Sequence, residues 1–498
     1  MNVNPITRLD YPDPDVIRVE DTYYMVSTTM HFMPGCEILQ SFDLVHWEHA
    51  TYVYETLDHT DAQQLKSGQN IYGQGMWAAS LRYHEGRFCI CFVANDTRKT
   101  YLYTSEKIDG PWKKQLIEGF YHDGSLLFDE DGRNYIVYGN DEIWITELNE
   151  DLTAPKKDGL HRLLVSDHKN PELGYEGSHI QKINGYYYIF LIHSLRDRWM
   201  RTEACFYSDS LEGEFTGGDV LCDDRGYCGQ GVAQGGIVDT PDGKWYAMLF
   251  QDSGAVGRIP ILLPVTWKDH FPFFGQNGHV PEEIEVHSTR PGYIYQPLVG
   301  SDDFCNGLLP RWQFNHDPDP RYYHLDALQG TYTITTREVC TELTQAVNTL
   351  TQRMSYPSCA AEVTVDASAL KEGDVAGLCA LQSCYAAVGI TKHHGKYEVL
   401  MLDKKEDGIL DMTEGTVVES HQMDFRFEAD FCNMKDEARC YYRVNKGDWL
   451  PIGTVHKLYF KLDHFTGCRF GLFCYAAEET GGSACFRDFK YYDVDEIS

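Results

Sequence analysis

The sequence predicts an all-β protein in two parts, a five-bladed β-propeller over residues 1–300 followed by a jelly-roll-like β-sandwich over residues 301–498. Three observations carry that prediction. Helical periodicity is nearly absent, while short runs rich in Tyr, Phe, Val and Ile alternate with Gly, Asp and Asn turns. One hairpin phrase occurs five times before residue 300. The phrase then stops, and a different β alternation begins.

The phrase is an apolar strand, a tight turn and an aromatic strand. Its copies are Val16–Tyr24, Leu81–Phe88, Leu126–Tyr135, His179–Tyr188 and Ile237–Tyr246, with turn positions Thr22, Gly86, Gly132, Gly185 and Gly243. Glycine suits such hairpin turns because it adopts positive φ without a side-chain clash. The turns fall 46 to 64 residues apart, and most are followed by a second strand pair, so the unit holds about four strands. Four-stranded units repeated about an axis make a propeller, and five lies within the usual range of blades. A sandwich with five coincidental hairpins is the rival architecture.

Equivalent positions of a propeller sit at equivalent places around its axis, so a shared register should ring one mouth of the channel. Nine residues before each turn stand Asp13, Trp77, Asp123, Glu176 and Gln234. Taken singly, Asp13 between Pro12 and Pro14 reads as a surface turn, and an acid before a strand as a solvated residue. Taken together, three acids, an aromatic and an amide converge on one opening. Glycosidic cleavage needs that chemistry: one carboxyl group protonated for the leaving oxygen, and another ionised to activate water or attack the sugar. A third carboxylate beside the acid holds its proton on by like-charge repulsion.

Composition agrees with a neutral ligand. Seventy-five acidic residues against 43 basic ones give a net charge of −32, which repels nucleic acid and anionic membrane surfaces. Flat rings stack on sugar faces, and the 33 Tyr, 24 Phe and 9 Trp supply them, although most serve strands and core. No apolar run approaches the roughly 18 residues of a membrane span, and Met1–Pro5 lacks the charged and apolar regions of a secretory signal. The chain is expected in the cytoplasm, with its 16 cysteines as reduced thiols, mostly buried. The expected partner is a small oligosaccharide, with no nucleic acid and no membrane, and the oligomeric state is left open.

Asn4-Pro5-Ile6, Tyr11-Pro12-Asp13-Pro14, Gly75-Met76-Trp77-Ala78, Asp123-Gly124-Ser125-Leu126, Glu176-Gly177-Ser178-His179-Ile180 and Gln234–Gly243 occur in one order and register. In this the chain resembles glycoside hydrolase family 43. The resemblance implies inversion by single displacement, with Asp13 as general base, Glu176 as general acid and Asp123 tuning the acid and orienting sugar. It also implies that Trp77 stacks on the sugar and Arg258 reaches its hydroxyls. Met30, His31 and Phe32 are expected to line the same mouth. Gln234 departs from the family pattern, since many members carry a histidine there that ligates a metal. No cofactor or metal ligand is therefore assigned, although an amide oxygen can hold a hydrated calcium ion.

Residues from Trp312 through Leu378 resemble the C-terminal sandwich of xylosidase-like branches, which packs on the propeller. Alternating runs at Ala361–Val365 and Leu458–Leu462 support a sandwich. The implied activity is exo-acting release of α-L-arabinofuranose, β-D-xylose or both from arabinoxylan or xylo-oligosaccharides, arabinofuranose slightly ahead. Two alternatives stand beside it: a non-catalytic sugar-binding propeller, and a retaining fructan-type hydrolase on a similar scaffold.

Overall fold

The computed structural model describes residues 2–413 and 415–493. Strands dominate it, and helix is confined to four short 3-10 turns at Lys66–Gly68, Gly254–Val256, Leu343–Gln345 and Cys432–Met434 among the described residues. None is long and apolar enough to cross a membrane.

Five four-stranded antiparallel sheets form the first part. Blade I comprises Asp15–Val19, Thr22–Val26, Gly35–Ser41 and Glu48–Tyr54. Blade II comprises Met76–His84, Arg87–Ala94, Lys99–Ser105 and Lys113–Ile117. Blade III comprises Ser125–Phe128, Asn134–Asn140, Glu142–Leu148 and His161–Ser166. Blade IV comprises Glu176–Ile183, Tyr186–Ser194, Arg201–Ser208 and Thr216–Leu221. Blade V comprises Val232–Asp239, Trp245–Asp252, Arg258–Lys268 and Phe271–Phe274. The first strand of each blade contacts the first strand of the next, and that of blade V returns to blade I, which closes the ring.

Strand alternation explains how the ring holds together. Side chains on a strand point to opposite faces with period two, so each blade presents an apolar face to both neighbours. In Arg87–Ala94, Phe88, Ile90 and Phe92 pack toward blade I, whereas Cys89 and Cys91 pack toward blade III. Every seam has its own apolar cluster, including Tyr135 and Ile189 between blades III and IV, Phe190 and Leu249 between IV and V, and Met25 and Met248 between V and I. The start of the chain is stitched onto the ring: Asn2–Val3 pairs with Glu283–Ile284, and the Asn4 side chain donates to Leu262 O at 2.7 Å while accepting from Leu262 N at 3.0 Å. All sixteen cysteines are free.

The second part is a sandwich of two antiparallel sheets around one apolar core that includes Val363, Phe427, Leu472 and Phe486. Ala361–Val365 lies within the strand Ser358–Asp366, as expected. Leu458–Leu462 does not form a strand. Leu458 is buried in the sandwich core, and the chain then leaves the sheet as a loop toward the propeller.

The two parts share a sheet. Phe32–Met33, from the loop inside blade I, pairs with Gln313–Asn315 at the end of the larger sandwich sheet. Beside this junction, Arg353 of the sandwich meets Glu37 of blade I at 2.9 Å, with both side chains almost fully buried. Its Nε also donates to Asp10 O at 2.9 Å. Separating a buried ion pair leaves an uncompensated buried charge, so this contact ties the sandwich to blade I.

Candidate active site

At one mouth of the propeller the inner strands leave regular pairing. Register slips between Met76 and Ala79, between Glu176 and His179, and between Ala233 and Gly236. Asp13, Asp123 and Gln234 take left-handed φ values of 53°, 47° and 58°. Non-glycine residues hold that conformation at a cost of order 1–3 kcal/mol, so their surroundings must fix it. Bulges of this kind re-aim side chains that a flat strand would send to alternate faces.

Asp13 is the most firmly held. Pro12 and Pro14 flank it, and Pro12 O accepts from Ser27 Oγ at 2.7 Å. Its Oδ2 accepts from Thr28 Oγ1 at 2.6 Å, and its Oδ1 accepts from Arg258 Nη1 at 3.0 Å. Arg258 is itself gripped from both parts of the chain. Its backbone N–H donates to Asp10 Oδ1 at 2.7 Å, while Asp10 Oδ2 accepts from Gly467 N of the sandwich at 2.8 Å. The guanidinium carbon lies 4.4 Å from the ring centre of Phe465 and 5.9 Å from that of Phe460.

Asp123 and Glu176 form a second group. Asp123 Oδ2 accepts from Gly177 N at 3.0 Å, and Glu176 Oε2 accepts from Asn140 Nδ2 at 2.7 Å. His122 Nε2 stands 3.5 Å from both Asp123 Oδ2 and Glu176 Oε2, and one ring nitrogen and one oxygen from each carboxylate lie within 4.8 Å of one another. Burial pushes the Asp123 carboxyl up to about 6; the His122 cation opposes that, and the charges of Glu176 and Asp13 reinforce it. The charge of Asp123 in turn raises His122 to about 9 against its burial, with Glu176 and Asp13 adding to the effect. The mouth thus offers one carboxylate oriented by two donors, and a separate carboxyl pair in which burial and the neighbouring charges favour retention of a proton on Asp123.

Trp77 walls this opening, its ring centre 5.9 Å from that of His122 and 5.5 Å from that of Phe465. Gln234 is buried behind it. The Gln234 N–H donates to Glu203 Oε2 at 2.7 Å, and the Gln234 side chain lies against Gly177, where a β-carbon would come within 2.7 Å of Gln234 Cγ and Cδ. Gly177 has φ of +65°, so glycine meets both demands at the residue after Glu176. Met30 exchanges two backbone hydrogen bonds with Met76, beside Trp77.

His31 and Phe32 depart from expectation. Both side chains are buried, and pairing of Phe32–Met33 with the sandwich places Phe32 in the seam between the two parts. The Arg469 guanidinium lies 3.4 Å from the centre of the Phe32 ring. His31 packs against Phe32, Tyr72, His316 and His464.

Below the mouth the channel axis is filled. Arg82 donates to Asp15 Oδ2 at 2.7 Å, Ser125 Oγ at 2.7 Å, Leu126 O at 2.8 Å and Ile180 O at 3.2 Å, and so ties four blades together. His179 Nδ1 adds a contact to Asp15 Oδ1 at 3.1 Å. Burial pulls the Asp15 carboxyl upward, but Arg82 and His179 hold it below its ordinary value. The opposite mouth opens into a cavity of about 460 Å³, where Arg18 pairs with Asp239 and Lys182 with Glu130. Its charges are satisfied internally, unlike those around His122.

Several neighbours of the acids escaped the sequence register. Thr28 and Asn140 lie outside the repeated phrase, and Phe460 and Phe465 come from the second part of the chain. Asp10 and His122 stand close to Asp13 and Asp123 in sequence, and that proximity was the available signal.

The family model described as "Glycosyl hydrolases family 43" matches residues 3–272, and that described as "Beta xylosidase C-terminal Concanavalin A-like domain" matches residues 301–492. A β-xylosidase of Formosa agariphila is 26% identical over 99% of this chain and 89% of its own length. A bifunctional GH43-CE protein of Bacteroides eggerthii is 42% identical with a TM-score of 0.93 over the whole chain, which spans 64% of that protein's length. A family 43 enzyme engineered to display both endo-xylanase and exo-arabinofuranosidase activity is 27% identical, with a TM-score of 0.86 over 99% of both chains. These matches favour neither a non-catalytic sugar-binding module nor a retaining fructan-type hydrolase. The match covers more than half of the chain, and the chain belongs to glycoside hydrolase family 43, an inverting family.

Proposed function

We propose that this glycoside hydrolase removes terminal α-L-arabinofuranose or β-D-xylose from hemicellulose-derived oligosaccharides. In this reading Asp13 activates the water, Glu176 protonates the leaving oxygen, and Asp123 keeps that proton available and orients the sugar. The observation that carries it is the grouping at one mouth: Asp13 anchored by Arg258 and Thr28, and Asp123 beside Glu176. Single displacement needs a base and an acid on opposite sides of the sugar with room for one water. Phe460 and Phe465 of the sandwich wall the same opening, which supports removal of single terminal sugars rather than cleavage within a long chain. Trp77 offers the stacking face and Arg258 a donor for sugar hydroxyls. Met30 supports the mouth through its backbone, Gln234 braces Gly177, and His31 and Phe32 serve the seam.

We read the reaction as independent of a resident metal. The residues near Gln234 fit calcium poorly: burial pushes its carboxyl neighbour Glu203 well above the usual range, which disfavours the charged form a calcium ligand needs. The axis beneath holds the Arg82 guanidinium, a cation supplied by the chain. Sixteen free thiols support a reducing compartment, and the charge of −32 disfavours nucleic acid and anionic membranes as partners.

The test is a parallel assay on nitrophenyl α-L-arabinofuranoside and nitrophenyl β-D-xylopyranoside with the wild type and Asp13→Asn. Loss of both activities in the variant, by at least about 10²-fold, is expected for a shared general base. Full retention of either removes Asp13 from the mechanism.

A further inference from the structure

His122 has no role in the scheme so far, yet it is the side chain placed between the two carboxylates on the acid side. Adjacent residues of a flat strand point to opposite faces. Here Asp123 has φ of +47°, and His122 and Asp123 face the same opening. The His122 carbonyl accepts from Gly139 N at 3.0 Å, which ties its backbone to blade III, and the Trp77 ring stands edge-on to the imidazole. Nε2 is buried without a hydrogen-bond partner, 3.5 Å from Asp123 Oδ2 and from Glu176 Oε2. A small rotation of either carboxylate completes a hydrogen bond. The side chain remains 21% exposed, so solvent protons reach it.

We propose that His122 is a positioning residue for the general acid, holding a second proton beside the protonated Glu176 and passing it to Glu176 after each leaving group departs. The inference rests on the reading of Glu176 as the acid. The proton balance closes. In each turnover Asp13 gains a proton from water, and Glu176 gives one to the departing oxygen. His122 then passes its Nε2 proton to Glu176 Oε2 and takes up another from solvent, while Asp13 releases its own. At 3.5 Å from Oε2, Nε2 keeps this second proton within one short transfer of the acid.

The charged groups facing the imidazole are consistent with that role. Asp123 and Glu176 adjoin it, and Asp13 acts from across the opening with its own partner Arg258. The other near contacts, Trp77 and the Asn140 amide on Glu176, are uncharged. Three carboxylates against one paired guanidinium favour the imidazolium, and burial alone opposes it.

The test compares the wild type with His122→Gln, and with His122→Asn as a second variant, on two substrates of one sugar. One is xylobiose, whose departing oxygen needs a proton; the other is a dinitrophenyl xyloside, whose departing group does not. With xylobiose, the basic limb of the kcat/KM profile is expected to move toward acid by at least about one pH unit. With the dinitrophenyl substrate, kcat is expected to stay within about twofold across the same range. An unmoved basic limb, or equal losses on both substrates, overturns the proposal, because a merely structural residue acts on both alike. Wild type without turnover on these xylosides or on the matching arabinofuranosides, an arabinofuranosyl-xylose and a dinitrophenyl arabinofuranoside, overturns the glycosidase reading and this inference together. Turnover with an unmoved limb overturns the inference alone.

Discussion

Arg258 Nη1 lies 3.0 Å from Asp13 Oδ1, and the arginine that orients this carboxylate is itself covered by a ring from the other part of the chain, Phe465 at 4.4 Å. The propeller supplies the acids, while the sandwich fixes the group that aims one of them. Asp10 reinforces the link by accepting from Arg258 N and Gly467 N at once.

Phe465→Ala should therefore act on chemistry from outside the propeller. A cation–π contact shielded from water contributes about 1–2 kcal/mol, so kcat/KM is expected to fall roughly tenfold. Steady-state kinetics on the nitrophenyl substrates check this, with thermal melting to confirm that the fold persists. Unchanged kinetics would sever the sandwich from the catalytic site.

The seam predicts a pH dependence of stability. His31, His316 and His464 are buried together, and burial holds all three below their ordinary value, His464 at about 3. The unfolded chain takes up a proton on each as pH falls through about 6.5, while the folded chain does not, so folding loses stability on acidification in that window. Each histidine contributes a slope of up to about 1.4 kcal/mol per pH unit. His464→Phe can retain the stacking on Tyr72, now at 3.8 Å, and removes one titrating group. Urea unfolding between pH 7.5 and 5 is expected to give the variant a shallower loss of stability by about one proton. Parallel curves would show that His464 is already protonated in the folded chain.

Metal removal should leave catalysis intact. Arg82 and Asp15 hold the channel axis with a charge pair at 2.7 Å, so incubation with EDTA is expected to change neither kcat nor the melting temperature. A loss of activity restored by calcium contradicts this.

Much of the site was legible because a propeller repeats one phrase about an axis. Counting nine residues back from each turn found Asp13, Trp77, Asp123, Glu176 and Gln234, and the structure groups the three acids and Trp77 at one mouth, with Gln234 behind them against Gly177. The period-two alternation also placed Cys89 and Cys91 on one face. What escaped was set by contacts distant in sequence. Leu458–Leu462 alternates like a strand because Leu458 fills the sandwich core while Phe460 reaches toward Arg258, two destinations on one loop. His31 and Phe32 adjoin the mouth in sequence, but both are buried, and strand pairing with Gln313–Asn315 places Phe32 in the seam. His122 was hidden by the alternation rule itself, which the left-handed Asp123 breaks.

The most direct test of the account is proton NMR of the first sugar released, recorded during turnover before mutarotation mixes the anomers. Single displacement by Asp13 and Glu176 predicts α-xylose from a β-xyloside and β-arabinofuranose from an α-arabinofuranoside. Initial release of the anomer matching the substrate would contradict it.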